Sequence, residues 1–133
     1  PSGYCVPEGD DEPIYPSLII VDDFGSSGRL SKRFGQLAKV FMNSRKFQIS
    51  IMVLAQTYTS VSKNVRTQAN GMFIWNTTNK ELETIEKENN FMESKNQFMD
   101  MFRNNVKETH DFVVVNYTNK FSELYLDKNF EIL

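Results

Sequence analysis

The sequence predicts an α/β fold, and three observations carry the prediction. The run from Leu18 to Asp22, within "SLIIVDDFGSS", is continuously apolar until it ends in acid, as expected of a strand covered on both faces. The run "ISIMVLAQ", Ile49 to Gln56, is a second apolar strand that also ends in a polar residue. Between them Leu30, Phe34, Leu37, Ala38 and Phe41 recur at the spacing of one face of a helix three to four turns long. A strand, a helix and a strand within about 40 residues make a βαβ unit, so the two strands are expected to be parallel with a right-handed crossover.

The remaining elements follow in order. Residues 1–16 hold four prolines and the acidic "EGDDE", which predicts a loop or linker ahead of a domain spanning 17–133. "GMFIWN", Gly71 to Asn76, predicts a short third strand with Trp75 in the core. "NKELETIEKE" starts at a capping residue, Asn79, and its charge predicts a surface helix. "SKNQFMDMFRNNV" predicts a second helix capped by Ser94, with Phe98, Met101, Phe102 and Val106 on its core face. "DFVVVNY" and "FSELYL" flank Thr118, Asn119 and Lys120 as a hairpin. Tyr15 could stack on a base, but loop packing is the expected role, and His110, the single histidine, is expected at the surface or a strand edge.

Composition narrows the function classes. With 133 residues, 40% of them hydrophobic, the chain can bury a core of single-domain size. Its one cysteine, Cys5, rules out an internal disulfide and any Cys/His metal framework, which fits a reducing compartment. No apolar run approaches the ~20 residues of a membrane helix, so no membrane-spanning segment is expected. The net charge of −2 argues against a strongly basic nucleic-acid binder, but its distribution is uneven. Between Phe24 and Lys80 there is no Asp or Glu, whereas Arg29, Lys32, Arg33, Lys39, Arg45, Lys46, Lys63, Arg66 and Lys80 are basic. That asymmetry suggests contact with the phosphates of a nucleotide or nucleic acid; the alternative is the solvated basic face of a crossover helix.

The chemistry is expected where the strands stop. A carboxylate at the end of a buried strand can bind Mg²⁺, usually through water, while a neighbouring carboxylate polarises the water that attacks a γ-phosphate. Asp22 and Asp23 are placed for these tasks, and Gln56, ending the adjacent strand, could hydrogen-bond both water and phosphate. The plainer reading is that the aspartates cap a turn and that Gln56 is a polar strand end. The "EGDDE" run lacks the spacing of a calcium loop and is expected to be solvated.

In order, "LIIVDD", "LSKRFGQLAKVFMNSRKF", "ISIMVLAQ" and "KNVRTQANGMFIW" resemble the second half of the FtsK/HerA-type genome-packaging ATPases of large double-stranded DNA viruses, the poxvirus-like group. The resemblance runs from about Leu18 to Leu82. It implies a three-layer RecA-like P-loop NTPase core, present in part, with a mostly parallel sheet and a C-terminal hairpin. It also implies that Asp22 serves Mg²⁺, Asp23 is the base, Gln56 is the sensor and Arg45 reaches the neighbouring subunit's γ-phosphate. Arg66 matches a second recurrent arginine. ATP and Mg²⁺ are the implied cofactors. The implied partners are double-stranded DNA, a homo-oligomeric ring and the capsid portal or membrane vertex, at a viral assembly site in the host cytoplasm or in the virion.

One departure is large: the phosphate-binding loop GxxxxGK[ST] is absent from all 133 residues, and seventeen residues precede Leu18. The chain also begins with proline, so a fragment of a longer protein is expected, one that binds ATP weakly and hydrolyses none by itself. The alternatives are a cellular HerA-like or conjugation-type DNA translocase, a catalytically silent oligomerisation or DNA-binding module, and a metal-dependent nuclease using Asp22 and Asp23. The last is disfavoured because no further carboxylate or histidine stands at a suitable strand end.

Overall fold

The computed structural model describes residues 15–24, 39–41 and 43–133, although the side chains of Asp23, Phe24 and Arg45 are not described. Its contacts divide the chain into two compact units, Pro1–Leu54 and Ala55–Leu133.

The first unit carries strands β1 (Ser17–Phe24) and β2 (Ile49–Ala55), which pair in a two-stranded parallel sheet. The Ser17 amide donates to the Gln48 carbonyl at 3.2 Å, joining the starts of both strands as a parallel arrangement requires. Of the predicted crossover helix, Leu30, Phe34, Leu37 and Ala38 lie outside the described residues, while residues 39–41 and 43 are helical. A 3₁₀ turn, Ser44–Phe47, follows. Gln48 then turns the chain into β2 with a left-handed φ of 53°.

The expectation that β1 is covered on both faces is not met. Leu18 is 59% and Ile20 57% exposed, and Met52 and Leu54 of β2 are also exposed. A continuous apolar run specifies a strand, but what covers it depends on segments distant in the chain.

The second unit packs two helices on one face of an antiparallel sheet. After the short helix α1 (Lys63–Arg66), strand β3 (Gly71–Trp75) leads into α2 (Asn79–Asn89) and α3 (Lys95–Asn105), then β4 (Phe112–Asn116) and β5 (Tyr125–Leu126). The sheet order is β3-β4-β5, with Phe73 opposite Val114 and Val114 opposite Leu126. The third strand is therefore antiparallel to its neighbour and belongs to a sheet separate from β1 and β2. Two packed helices between β3 and β4 return the chain in the opposite sense, whereas the single helix of a βαβ unit returns it parallel.

Both helices start where a hydroxyl satisfies an otherwise orphaned amide. Thr78 Oγ1 accepts from the Glu81 N–H, so Thr78 rather than Asn79 caps α2; Ser94 caps α3 as predicted, accepting from the Gln97 N–H. α2 is not merely a surface helix, because Leu82 and Ile85 join Phe98, Met99, Phe102, Val106, Ile74, Val113 and Val115 in the core. The predicted core face of α3 holds, with Met101 partly buried beside it.

Trp75 is not in that core. In β3 Ile74 faces the helices, which turns Phe73 and Trp75 to the other face, where they are 43% and 46% exposed. There they meet Phe112 and Phe130, with ring centroids 5.4 to 6.3 Å apart. The hairpin is found in part: β4 and β5 pair antiparallel, but Phe121–Glu123 forms a 3₁₀ turn within the connection. Tyr15 is exposed rather than packed, and His110 is exposed as expected.

Candidate functional site

In the first unit the acidic pair lies in the last three residues of β1, and Asp22 is exposed. Arg45 lies in the 3₁₀ turn immediately before β2. Gln56 is the first residue after β2 and is exposed. Asp22 thus stands at the carboxyl end of β1, the end of a strand where open α/β sheets place their ligands, and Gln56 follows β2 as a residue of the second unit.

Among the described residues no group of three or more His, Cys, Asp or Glu side chains could hold a metal ion by itself. The Asp22 carboxylate is a hard oxygen donor. The sequence offers no GxxxxGK[ST] loop to cradle the phosphates themselves.

Arg66 is placed in the second unit, in a partly buried polar network that the sequence did not reveal. Its Nη2 and Nε donate to the two oxygens of Glu88 at 2.7 and 3.0 Å, a fork geometry that strengthens a charge-assisted pair. Its Nη1 donates to the Val61 carbonyl, and the guanidinium lies 4.4 Å from the Tyr58 ring centroid, a cation–π contact. Tyr58 donates its hydroxyl to Glu88 at 2.6 Å and accepts from Asn89 Nδ2 at 3.1 Å. Asn89 accepts the Tyr117 hydroxyl through its side chain and the Tyr125 hydroxyl through its backbone carbonyl.

The environment shifts these groups as their contacts require. The hydrogen bond from Arg66 holds the Glu88 carboxyl below the usual carboxylate range, against the opposing effect of partial burial. Burial, then the hydrogen bond to Glu88, pushes the Tyr58 phenol up to about 12. Burial likewise raises Tyr117 and Tyr125. Among the described residues no buried side-chain polar atom lacks a partner.

A partial signal for this network was present in the sequence. Leu82, Ile85 and Asn89 follow one another at helical spacings of three and four, so one amide of the network, Asn89, occupies a position of the apolar stripe, whereas Glu88 lies off it. Polar residues on a buried stripe imply partners elsewhere.

The described elements define a mixed α/β protein with a parallel strand pair and a separate antiparallel sheet. The particular lineage comes from comparison with known families: residues 7–126 match the family described as Poxvirus A32 protein. The chain belongs to that family. No curated protein and no solved structure matches it. No helix among the described residues is long and apolar enough to cross a membrane.

Proposed function

We propose that the full-length protein is an ATP-hydrolysing motor that packages double-stranded viral DNA, and that this chain carries its Walker B strand. Membership of the A32 family supports a role in viral DNA packaging. The observation that carries the chemical part is the acid pair at the carboxyl end of β1, in a parallel sheet whose second strand runs into Gln56.

In this reading Asp22 holds Mg²⁺, Asp23 polarises the attacking water, and Gln56 orients that water against the γ-phosphate. Bound Mg²⁺ would neutralise charge on the β- and γ-oxygens. Arg45 acts from one subunit on the phosphate bound by the next, which requires a homo-oligomeric ring. The phosphates are cradled by a loop of the full-length protein outside these 133 residues. Duplex DNA passes through the ring, docked at the capsid portal or membrane vertex of an assembling virion.

The test is steady-state hydrolysis by the purified full-length protein, with and without linear duplex DNA. Mg²⁺-dependent ATP turnover that rises when DNA is added is expected. A protein that binds DNA but turns over no ATP under any condition would instead be a silent module of the same family.

A further inference from the structure

We propose that Glu88 and Tyr58 are positioning residues that brace the segment following β2 against helix α2 and so fix the place of Gln56. The proposal rests on the reading of Gln56 as the amide that orients the attacking water.

The segment is tied to α2 twice, within a few residues of leaving β2. At the first turn of α2, Glu81 accepts from the backbone N–H of Thr59 at 3.1 Å and from its hydroxyl at 2.8 Å. Two turns further on, Glu88 accepts from the Tyr58 hydroxyl and, through both oxygens, from Arg66. Arg66 returns to the segment by donating to the carbonyls of Val61 and Tyr58. One carboxylate thus holds the middle of the segment directly, and the other holds it through a phenol and a guanidinium.

The brace is anchored behind. Asn89 joins Tyr58 to Tyr117 and, through its carbonyl, to Tyr125 of β5, while the Tyr125 hydroxyl accepts from the Phe91 N–H at 2.9 Å. Tyr125 itself is buried in the core. Gln56 lies two residues before Tyr58, so at most about 7 Å of chain separates it from the braced ring. A sensor amide must be held to a fraction of an ångström to act on a water, and misplacement by about 1 Å can cost about 100-fold in rate. In this arrangement Arg66, 10% exposed, works as the cation of the brace rather than on a phosphate.

The experiment uses the full-length protein with Glu88→Gln and, separately, Tyr58→Phe, which keeps the ring beneath Arg66 but removes the hydroxyl. Each is assayed well below its own melting temperature. The proposal expects kcat for Mg²⁺-ATP hydrolysis to fall between about 10- and 100-fold in Glu88→Gln and by less in Tyr58→Phe, with the Kd for Mg²⁺-ATP unchanged within about twofold. Hydrogen exchange at the Thr59 amide should quicken in parallel. A purely structural network would lower Tm and leave kcat unchanged where the protein is folded, and that result overturns the proposal. If Glu88→Gln does not fold, Tyr58→Phe decides alone. A wild-type protein with no ATPase activity overturns the underlying motor reading, and this proposal with it; an active wild type with unaltered variants overturns this proposal only.

Discussion

Asp111 shows how one side chain can set the acid response of the second unit. It is buried, its Oδ2 accepts from the backbone N–H groups of Lys107 and Glu108, and its Oδ1 accepts from Lys128 Nζ at 2.6 Å. The Lys128 hydrogen bond, then the Glu108 N–H, holds its carboxyl down to about 2. An Asp in the unfolded chain titrates near 3.9. A depressed carboxyl contributes stability that is present above the unfolded value and lost as pH falls through the folded one. Stability should therefore drop between about pH 4 and pH 2, and the Asp111→Asn protein should lose less of its own stability over that window. Urea denaturation midpoints at pH 6 and pH 2.5 for both proteins check this; equal losses would show that Asp111 is not the group responsible. The role of Asp111 was not legible in the sequence, because its cation lies seventeen positions along and beyond two strands.

Apolar runs located the strands, and capping residues marked where the two long helices of the second unit begin. β1, β2 and β3 begin and end within two residues of the predicted bounds, and Ser94 was readable as a cap from its place before an apolar stripe. Facing was harder to read. In "GMFIW" both phases of the strand are apolar, so alternation could not say whether Ile74 or Trp75 points inward. For α2 the abundance of charge hid a real stripe.

The same limit explains β1 and β2, whose apolar residues were readable but whose covering was not. Among the described residues this sheet has two strands, and with Leu18, Ile20, Met52 and Leu54 exposed it presents apolar surface to other copies. The 133-residue chain should therefore elute as associated species in size-exclusion chromatography, and Ile20→Lys with Met52→Lys should shift it toward monomer. A wild-type chain that is monomeric at high concentration would contradict this.

In the whole chain the second sheet departs from a mostly parallel one, since pairing β3 with β4 depends on residues about 40 positions apart. The order of motifs was legible from Leu18 to Leu82, and the family match extends it over 7–126. If the motor works as a ring with Arg45 acting in trans, each defective subunit can still complete its neighbour's site. Mixing full-length Arg45→Ala with Asp23→Asn subunits should then recover part of the hydrolysis, because such arginines are worth about 10³-fold or more. Confirmed mixed rings without recovery would place Arg45 on a phosphate or DNA contact of its own subunit.

In the proposed motor Asp22 and Asp23 divide metal binding from water activation, and paired binding and turnover measurements on the full-length protein separate the two roles. Asp23→Asn should bind Mg²⁺-ATP nearly as tightly as wild type and hydrolyse none, because the amide keeps the shape but lacks the basicity to polarise water. Asp22→Asn should weaken Mg²⁺ binding as well. Hydrolysis by Asp23→Asn at the wild-type rate, or equal loss of Mg²⁺-ATP binding in both variants, would rule out that division of roles.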